Sequence, residues 1–255
     1  MKLASLLALG LGLLASLSFA AEDKKESPVY EMRTYYAAEG KLDALHARFR
    51  DHTCKLFEKH GIKNVGYWVP LENPDRKLIY LLEYPSRDAA KASWKAFVDD
   101  ADWKKAFADS EKDGKLVAKA ESLYMQPTDY SPALKIENIG DRVFELRTYT
   151  TTPNNLDDLD ARFRNHTVKL FAKHGMTNIV YFHLLPDQKG AENTLVYFLA
   201  HKSQEAGKKS FDSFRADADW LAARKASEEK AGGSLTTEGG VQSVYLKPVD
   251  YSPLK

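Results

Sequence analysis

The stretch Arg48-Phe-Arg-Asp-His-Thr-Cys-Lys-Leu-Phe-Glu-Lys-His-Gly61 decides the fold, because the chain carries it twice. The second copy, Arg162-Phe-Arg-Asn-His-Thr-Val-Lys-Leu-Phe-Ala-Lys-His-Gly175, lies 114 positions later and keeps eleven of the fourteen residues. Three shorter pairs follow the same order: Val29–Tyr35 with Val143–Tyr149, Ala101–Trp103 with Ala218–Trp220, and Asp129–Pro132 with Asp250–Pro253. A collinear repeat of this kind predicts two tandem copies of one domain.

Each copy predicts the same order of secondary structure. In the first copy, alternating residues rich in β-favouring types predict strands at 29–36, 63–70, 77–84 and 119–127. Helical spacing predicts helices at 41–60, ending at Gly61, and at 86–112, starting at Ser86. The order βαββαβ is the ferredoxin-like unit, an α+β fold. Since its sheet has helices on only one face, the two units are expected to pack their bare faces together, with helices outside.

Composition excludes several kinds of partner. The 255 residues include 37 Lys and Arg and 36 Asp and Glu, so the chain is close to neutral. Nucleic acid and anionic membrane both require a basic surface, so neither is expected as a partner. Cys54 is the only cysteine, which excludes an intramolecular disulfide and is typical of a small core residue.

Residues 1–20 differ from the rest of the chain. Lys2 precedes an apolar run from Leu3 to Leu17, and Ser18 and Ala20 are the small residues of a cleavage site. The run is shorter than a membrane-spanning helix requires. We therefore expect residues 1–20 to be a cleaved signal peptide, the mature protein to be periplasmic or secreted, and no membrane association after cleavage.

The repeated motifs resemble those of the NIPSNAP family. The resemblance rests on Tyr30-Glu-Met-Arg-Thr-Tyr35, on the helix ending in Lys-His-Gly61 and on the later Asp102-Trp103, each with its counterpart in the second copy. It covers 28–132 and 142–253 and implies two domains that form a dimeric α/β-barrel within one chain. Other proteins with that fold bind ligands or haem, or act as oxygenases, so the fold implies a pocket without fixing a reaction.

The first strand of each copy places charged residues on one face. Glu31, Arg33 and Tyr35 alternate with the more apolar Tyr30 and Met32. We expect the apolar set to lie under the helices and the charged set to face the partner sheet. There it forms either a structural ion pair or a site that binds a ligand through arginine. The second copy repeats the charged set as Glu145, Arg147 and Tyr149.

Two histidines are candidate catalytic residues. His52 and His166 each follow a predicted core phenylalanine by three positions and precede a core leucine by four. This spacing predicts that both imidazoles face the sheet. There they are either hydrogen-bonded core groups, general acid–base catalysts or ligands of haem iron. Arg48 and Arg162 lie one turn earlier and are expected to reach the same cleft.

The other candidates have simpler interpretations. His60 and His174 precede the glycines that end the two helices, where they are expected to interact with the helix dipole. Tyr67, Trp68 and Phe97 are either core residues or the lining of a pocket for a flat apolar ligand. No group of residues has the spacing of a zinc site, so no metal site is predicted.

Three classes of function remain open from the sequence. The favoured one is a protein that holds a small organic ligand between sheet and helices. The second is a haem-dependent or cofactor-free oxygenase that uses His52 or His166. The third is a structural or interaction protein. Since the two domains can pair internally, either a monomer or a homodimer is expected.

Overall fold

The computed structural model describes residues 27–255, so the predicted signal peptide lies outside the described residues. The first repeat contains β1 Val29–Ala37, α1 Leu42–Arg48, α2 Cys54–Lys59, β2 Lys63–Pro70, β3 Lys77–Tyr84, α3 Arg87–Asp99, α4 Ala101–Ser110 and β4 Val117–Pro127. The second contains β5 Val143–Thr151, α5 Leu156–Arg162, α6 Val168–Lys173, β6 Thr177–Leu184, β7 Thr194–His201, α7 Gln204–Arg215, α8 Ala218–Ala231 and β8 Thr236–Pro248.

The eight strands form one closed antiparallel barrel in the order β1-β3-β2-β8-β5-β7-β6-β4. The first repeat supplies one half of the barrel and the second repeat the other half. Two junctions join the halves: Trp68 of β2 pairs with Pro248 of β8, and Met125 of β4 pairs with Leu184 of β6. The predicted α+β fold of two ferredoxin-like units in an intramolecular barrel is confirmed. Closure leaves neither half-sheet with an unpaired edge.

The barrel interior is packed with apolar side chains from both repeats. Tyr30 and Met32 of β1 point into it, beside Trp68, Phe144 and Phe198. Glu31, Arg33 and Tyr35 lie on the other side of the sheet, under the helices. The sequence-based prediction that this charged set faces the partner sheet is therefore wrong.

The charged residues face the helices because that side of the sheet offers hydrogen-bond donors and the barrel interior does not. A charge inside the closed barrel would be surrounded by apolar side chains and strands whose backbone groups already pair with each other. On the helix side, Trp94 of α3 places an indole nitrogen 2.6 Å from Glu31 Oε2. The charged face of β1 thus lies where side chains of the helices can form hydrogen bonds with it.

A π-helical turn interrupts the first helix of each repeat, at Phe49–Thr53 and Phe163–Thr167. A π turn contains one residue more than an α turn, which rotates the residues that follow by roughly 100° around the axis. Thr53 consequently takes the buried position, and its Oγ1 donates to the carbonyl oxygen of Arg48 at 3.1 Å. His52 and His166 are both exposed. The prediction that these histidines face the sheet is wrong.

The predicted helix 86–112 is two helices separated at Asp100. This residue has extended backbone angles, φ −62° and ψ 132°, and its Oδ1 accepts from the backbone N–H of Asp102 at 2.7 Å. Its Oδ2 lies 2.7 Å from Nε2 of His60, at the end of α2. Asp217 and His174 repeat this arrangement at 2.7 Å. Each histidine therefore joins the end of one helix to the start of another, through a carboxylate that the dipole interpretation did not include.

The segments that end each repeat pack on the opposite repeat. Tyr130, after β4, stacks on Phe163 of the second repeat at a centroid distance of 6.2 Å. Tyr251, after β8, stacks on Phe49 of the first repeat at 6.4 Å. These crossed contacts add to the strand junctions and explain why Asp-Tyr-Ser-Pro recurs at the end of each copy.

Candidate functional site

Glu31 is the centre of a buried network under the helices of the first repeat. Its Oε1 accepts from Arg33 Nη1 at 2.6 Å and from Ser122 Oγ at 2.7 Å. Its Oε2 accepts from the Tyr84 hydroxyl at 2.8 Å and from Trp94 Nε1 at 2.6 Å. Strands β1, β3 and β4 and helix α3 each contribute to the network, so the carboxylate fixes the helix on the sheet.

The partners of Glu31 control its ionisation. Burial raises the pKa of this carboxyl, but the charge of Arg33 and the hydrogen bonds from Ser122, Trp94 and Tyr84 together bring the pKa below its usual value. The group is therefore ionised at neutral pH and is a weak proton acceptor. Its role in the site is to hold Arg33.

Arg33 uses only part of its guanidinium on Glu31. The guanidinium carbon lies 4.5 Å from the ring centroid of Trp94 and 5.5 Å from that of Tyr35. Among residues 27–255, Arg33 Nε has no hydrogen-bond partner. That atom is enclosed, but the side chain as a whole is 20% exposed, so a ligand in the cavity can meet the exposed part of the guanidinium.

A cavity of about 460 Å³ lies between β1 and the helices of the first repeat, with Arg33 and Tyr35 in its wall. Aromatic residues are the largest group in the wall, which also includes Phe49, Phe57, Trp94, Phe97, Trp103 and Phe107. Arg48, Glu111 and Lys115 supply further charge. An apolar lining with a few polar groups is typical of a small-molecule site.

Arg48 is almost fully buried in the same wall. Its Nη1 donates to Ser110 Oγ at 3.2 Å and to Glu111 Oε1 at 3.3 Å. The guanidinium lies 5.4 Å from the ring centroid of Trp103 and 5.2 Å from that of Phe107. Arg48 lines this cavity but His52 does not, so the expectation that the two share one cleft is wrong in the first repeat. The Nε atom of Arg48, like that of Arg33, has no hydrogen-bond partner among the described residues.

The second repeat builds the same network from different residues. Glu145 accepts from Arg147 at 2.5 Å and Ser243 at 2.5 Å, and its Oε2 lies 2.8 Å from His201 Nε2. Here Arg147 Nη2 also donates to Tyr149 at 3.2 Å. That bond occupies donor capacity that Arg33 keeps free in the first repeat.

The three remaining ligand candidates of the first repeat do not line one pocket. Trp68 lies in the barrel interior, whereas Tyr67 and Phe97 lie in the core under the helices. Of the two interpretations, the core one holds for Tyr67 and Trp68, and a single pocket lined by all three residues is excluded because neighbouring strand residues point to opposite faces. Of the three, Phe97 lines the cavity.

Some lining residues were not candidates in the sequence. Phe107, Glu111 and Lys115 reach the cavity only because the chain turns at Asp100, which brings α4 over the sheet. The sequence signal for that turn is an aspartate at the N-cap of α4: the Asp100 carboxylate accepts a hydrogen bond from the backbone N–H of Trp103, three positions later. The second repeat has the same residues, Asp217 and Trp220.

Haem does not fit the residues that line this cavity. The lining contains no His, Cys or Met, the side chains that most often ligate haem iron, and its phenol Tyr35 lies beneath Arg33. Residues 27–255 also contain no group of three or more His, Cys, Asp or Glu side chains that could hold a metal ion.

The sequence profile of the NIPSNAP family matches residues 30–132 and 144–253. The chain belongs to the NIPSNAP family. It is similar to a NipSnap homolog of Dictyostelium discoideum, with 25% identity over 183 residues that span 71% of this chain and 72% of that protein. Across the described residues, this NIPSNAP chain has no helix both long enough and apolar enough to cross a bilayer.

Solved structures similar to this NIPSNAP chain share its fold. A candidate monooxygenase from Lactobacillus acidophilus matches with 10% identity and a TM-score of 0.55, over 88% of this chain and 94% of that chain. One from Fusobacterium nucleatum matches with 12% identity and a TM-score of 0.57, over 88% and 93%. An anthrone oxidase-like protein matches with 14% identity and a TM-score of 0.53, over 91% and 95%. At these identities the likeness concerns the barrel alone.

Proposed function

We propose that the first repeat of this NIPSNAP protein binds a small, flat organic anion in the cavity beside Arg33. The observation that carries the proposal is a partly exposed guanidinium in the cavity wall, held among aromatic side chains. A carboxylate would accept hydrogen bonds from the exposed part of that guanidinium. The ring of the ligand would contact Trp94, Trp103 and Phe107.

The rigidity of Arg33 supports this function. Glu31 holds one end of the guanidinium, and Trp94 both hydrogen-bonds Glu31 and stacks on Arg33. The arginine is thus ordered before a ligand arrives, which reduces the entropy lost on binding. A purely structural ion pair would account for Glu31 but not for the aromatic cavity that Arg33 lines.

Oxygenase activity remains the alternative that the fold allows. Cofactor-free oxygenation of a phenol or related carbon acid begins with removal of a proton by a base. Glu31 is a weak base for the reason given above, and neither exposed histidine lines this cavity. The roles expected for His52 and His166 therefore lose the geometry on which they rested, and ligand binding is the better-supported function.

The proposal is tested by calorimetric titration of the mature chain with 2-naphthoate and with the uncharged 2-naphthylmethanol. We expect saturable binding of the acid, and binding of the alcohol that is weaker by about tenfold or more, equivalent to about 1.4 kcal/mol. Failure of both to bind, or equal binding of both, would contradict an arginine-based site.

Export stays a prediction of the N-terminal sequence. We propose that the mature protein begins at Ala21 and acts outside the cytoplasm. Mass spectrometry of the protein from the periplasm or medium of an expressing bacterium would test this, since a chain that retains Lys2 would contradict cleavage.

A further inference from the structure

The second repeat has a groove in a different place from the cavity of the first. It measures about 690 Å³ and lies between α5, α6 and α8. Its lining includes Arg162 and His166 but neither Arg147 nor Tyr149. The groove therefore belongs to the outer helical layer and is separate from the site beside Arg33.

Arg162 is a buried cation with weak compensation. Its side chain is 6% exposed, and its Nη1 donates to Ser227 Oγ at 3.3 Å. Its Nε, like that of Arg48, has no hydrogen-bond partner among the described residues. Glu228 Oε1 lies 3.8 Å from Arg162 Nη1, whereas the equivalent Glu111 lies 3.3 Å from Arg48. Burial lowers the pKa of Arg162, an effect that Glu228 opposes only in part.

A single substitution between the repeats accounts for this difference. Arg224 stands where the first repeat has Phe107, and its Nε donates to Glu228 Oε1 at 2.9 Å. The carboxylate that would compensate Arg162 is thus shared with a second arginine. Two guanidinium groups with one carboxylate leave an excess of positive charge at the buried end of the groove.

The rim of the groove is also more basic than its counterpart. With Arg162 at the buried end, the groove carries the cations Arg162, Lys169, Lys173 and Lys230 against the anions Asp158 and Asp219. The equivalent positions of the first repeat balance the cations Arg48, Lys55, Lys59 and Lys105 with the anions Asp51, Asp102, Asp109 and Asp113. Among the described residues, Lys169 forms no ion pair, so its charge is available at the rim.

The floor of the groove is formed by small apolar residues. Ala222 and Ala226 occupy the positions of Lys105 and Asp109, which in the first repeat form an ion pair of 2.5 Å across the equivalent surface. Loss of those two side chains opens the space and leaves an apolar surface beside the cationic end.

We propose that this groove is a second ligand site, which binds a small organic phosphate or carboxylate with its charged group at Arg162 and Lys169. The apolar part of the ligand lies on Ala222 and Ala226. Arg162 supplies hydrogen bonds at the buried end, and Lys169 and His166 flank the entrance. The site is independent of the proposed ligand of the first repeat.

The test uses phenyl phosphate and inorganic phosphate as probes in calorimetric titrations at low ionic strength. The protein is the mature chain with Phe107→Glu, which adds a negative charge to the first cavity so that anions are repelled there. We expect phenyl phosphate to bind more tightly than inorganic phosphate. Equal binding of the two would contradict contact with the alanine floor, and absence of binding would overturn the site.

Two double variants that change the net charge by the same amount test whether phenyl phosphate binds in the groove. Asn165→Asp with Ala226→Asp restores the acidic residues of the first repeat at two exposed positions of the groove, and should reduce phenyl phosphate affinity by about tenfold or more. Lys208→Ala with Lys209→Ala changes the net charge by the same amount on exposed positions of α7 and should leave the affinity within about twofold. Equal losses in both variants would show that only net charge matters and would overturn the proposal.

Discussion

The indole nitrogen of Trp94 donates a hydrogen bond of 2.6 Å to Glu31, while its ring lies 4.5 Å from the guanidinium carbon of Arg33. One side chain of α3 thereby touches both members of the buried ion pair. The second repeat has Phe211 at this position, where the ring contacts Arg147 at 4.4 Å but donates no hydrogen bond. His201 stands at the position of Tyr84 and contacts Glu145 Oε2 as Tyr84 contacts Glu31, so the bond of Trp94 has no counterpart in the second repeat.

Replacement of Trp94 by Phe should destabilise the protein. The variant keeps an aromatic ring over Arg33 but removes a donor from a buried carboxylate, which costs about 1.5–3 kcal/mol. Urea denaturation followed by circular dichroism would measure the loss. Trp103→Phe is the matched control, since Trp103 donates no hydrogen bond to Glu31, and a loss as large as that of Trp94→Phe would contradict the account.

Stability should depend on pH through Glu31. The folded-state pKa of this carboxyl lies below its ordinary value of 4.5, so its contribution to the free energy of unfolding is complete above pH 4.5 and disappears as the pH falls through the folded pKa. Glu31→Gln should therefore be less stable than the parent at pH 7, with a difference that shrinks below pH 4.5.

Urea titrations from neutral pH to well below pH 4.5 would measure this difference. Glu39→Gln is the control, because Glu39 is exposed and should show no such dependence. A gap between Glu31→Gln and the parent protein that stays constant down to the acidic end would contradict the ionised network.

The crossed tyrosines should contribute unequally to stability. Tyr130 donates to the buried carboxylate of Asp160 at 2.7 Å, whereas Tyr251 lies 2.9 Å from the imidazole of His46. A bond to a charged group costs more to lose, about 1.5–3 kcal/mol against about 0.5–1.5 kcal/mol for a neutral pair. Urea denaturation of Tyr130→Phe and Tyr251→Phe should reveal that order, and the reverse order would show that the Asp160 bond is not the stronger one.

The repeated motifs predicted the barrel because strand alternation and helix ends are local signals. Gly61 and Ser86 mark element boundaries with side-chain or backbone requirements that the sequence displays. The exposure of His52 was not predictable in this way, because a π turn changes the helical register without a distinctive residue. Nor was the facing of Glu31, since an alternating strand defines two faces but does not say which one the helices cover.

The cavity was only partly accessible to sequence reasoning for a related reason. Arg33, Tyr35 and Arg48 were identified as ligand candidates, and all three line the cavity. Phe107 lies in α4, and Glu111 directly follows it; the sequence pattern merged this helix with the one before it. The N-cap residue Asp100 is a local signal for the break, but its carboxylate also binds His60 forty positions earlier, a tertiary contact that no local pattern displays.

The central claim is that the cavity beside Arg33 binds a flat organic anion, and tryptophan fluorescence during titration with 2-naphthoate tests it most directly. The parent protein for this titration carries Asn165→Asp and Ala226→Asp, so that the groove of the second repeat does not contribute. Phe107→Glu adds a negative charge at a half-exposed position of the cavity wall. It is compared with Leu221→Glu, which adds the same charge at an exposed apolar position of α8. The account predicts saturable quenching that Phe107→Glu weakens by about tenfold and Leu221→Glu leaves unchanged. Quenching that both variants preserve, or that both weaken equally, would contradict it.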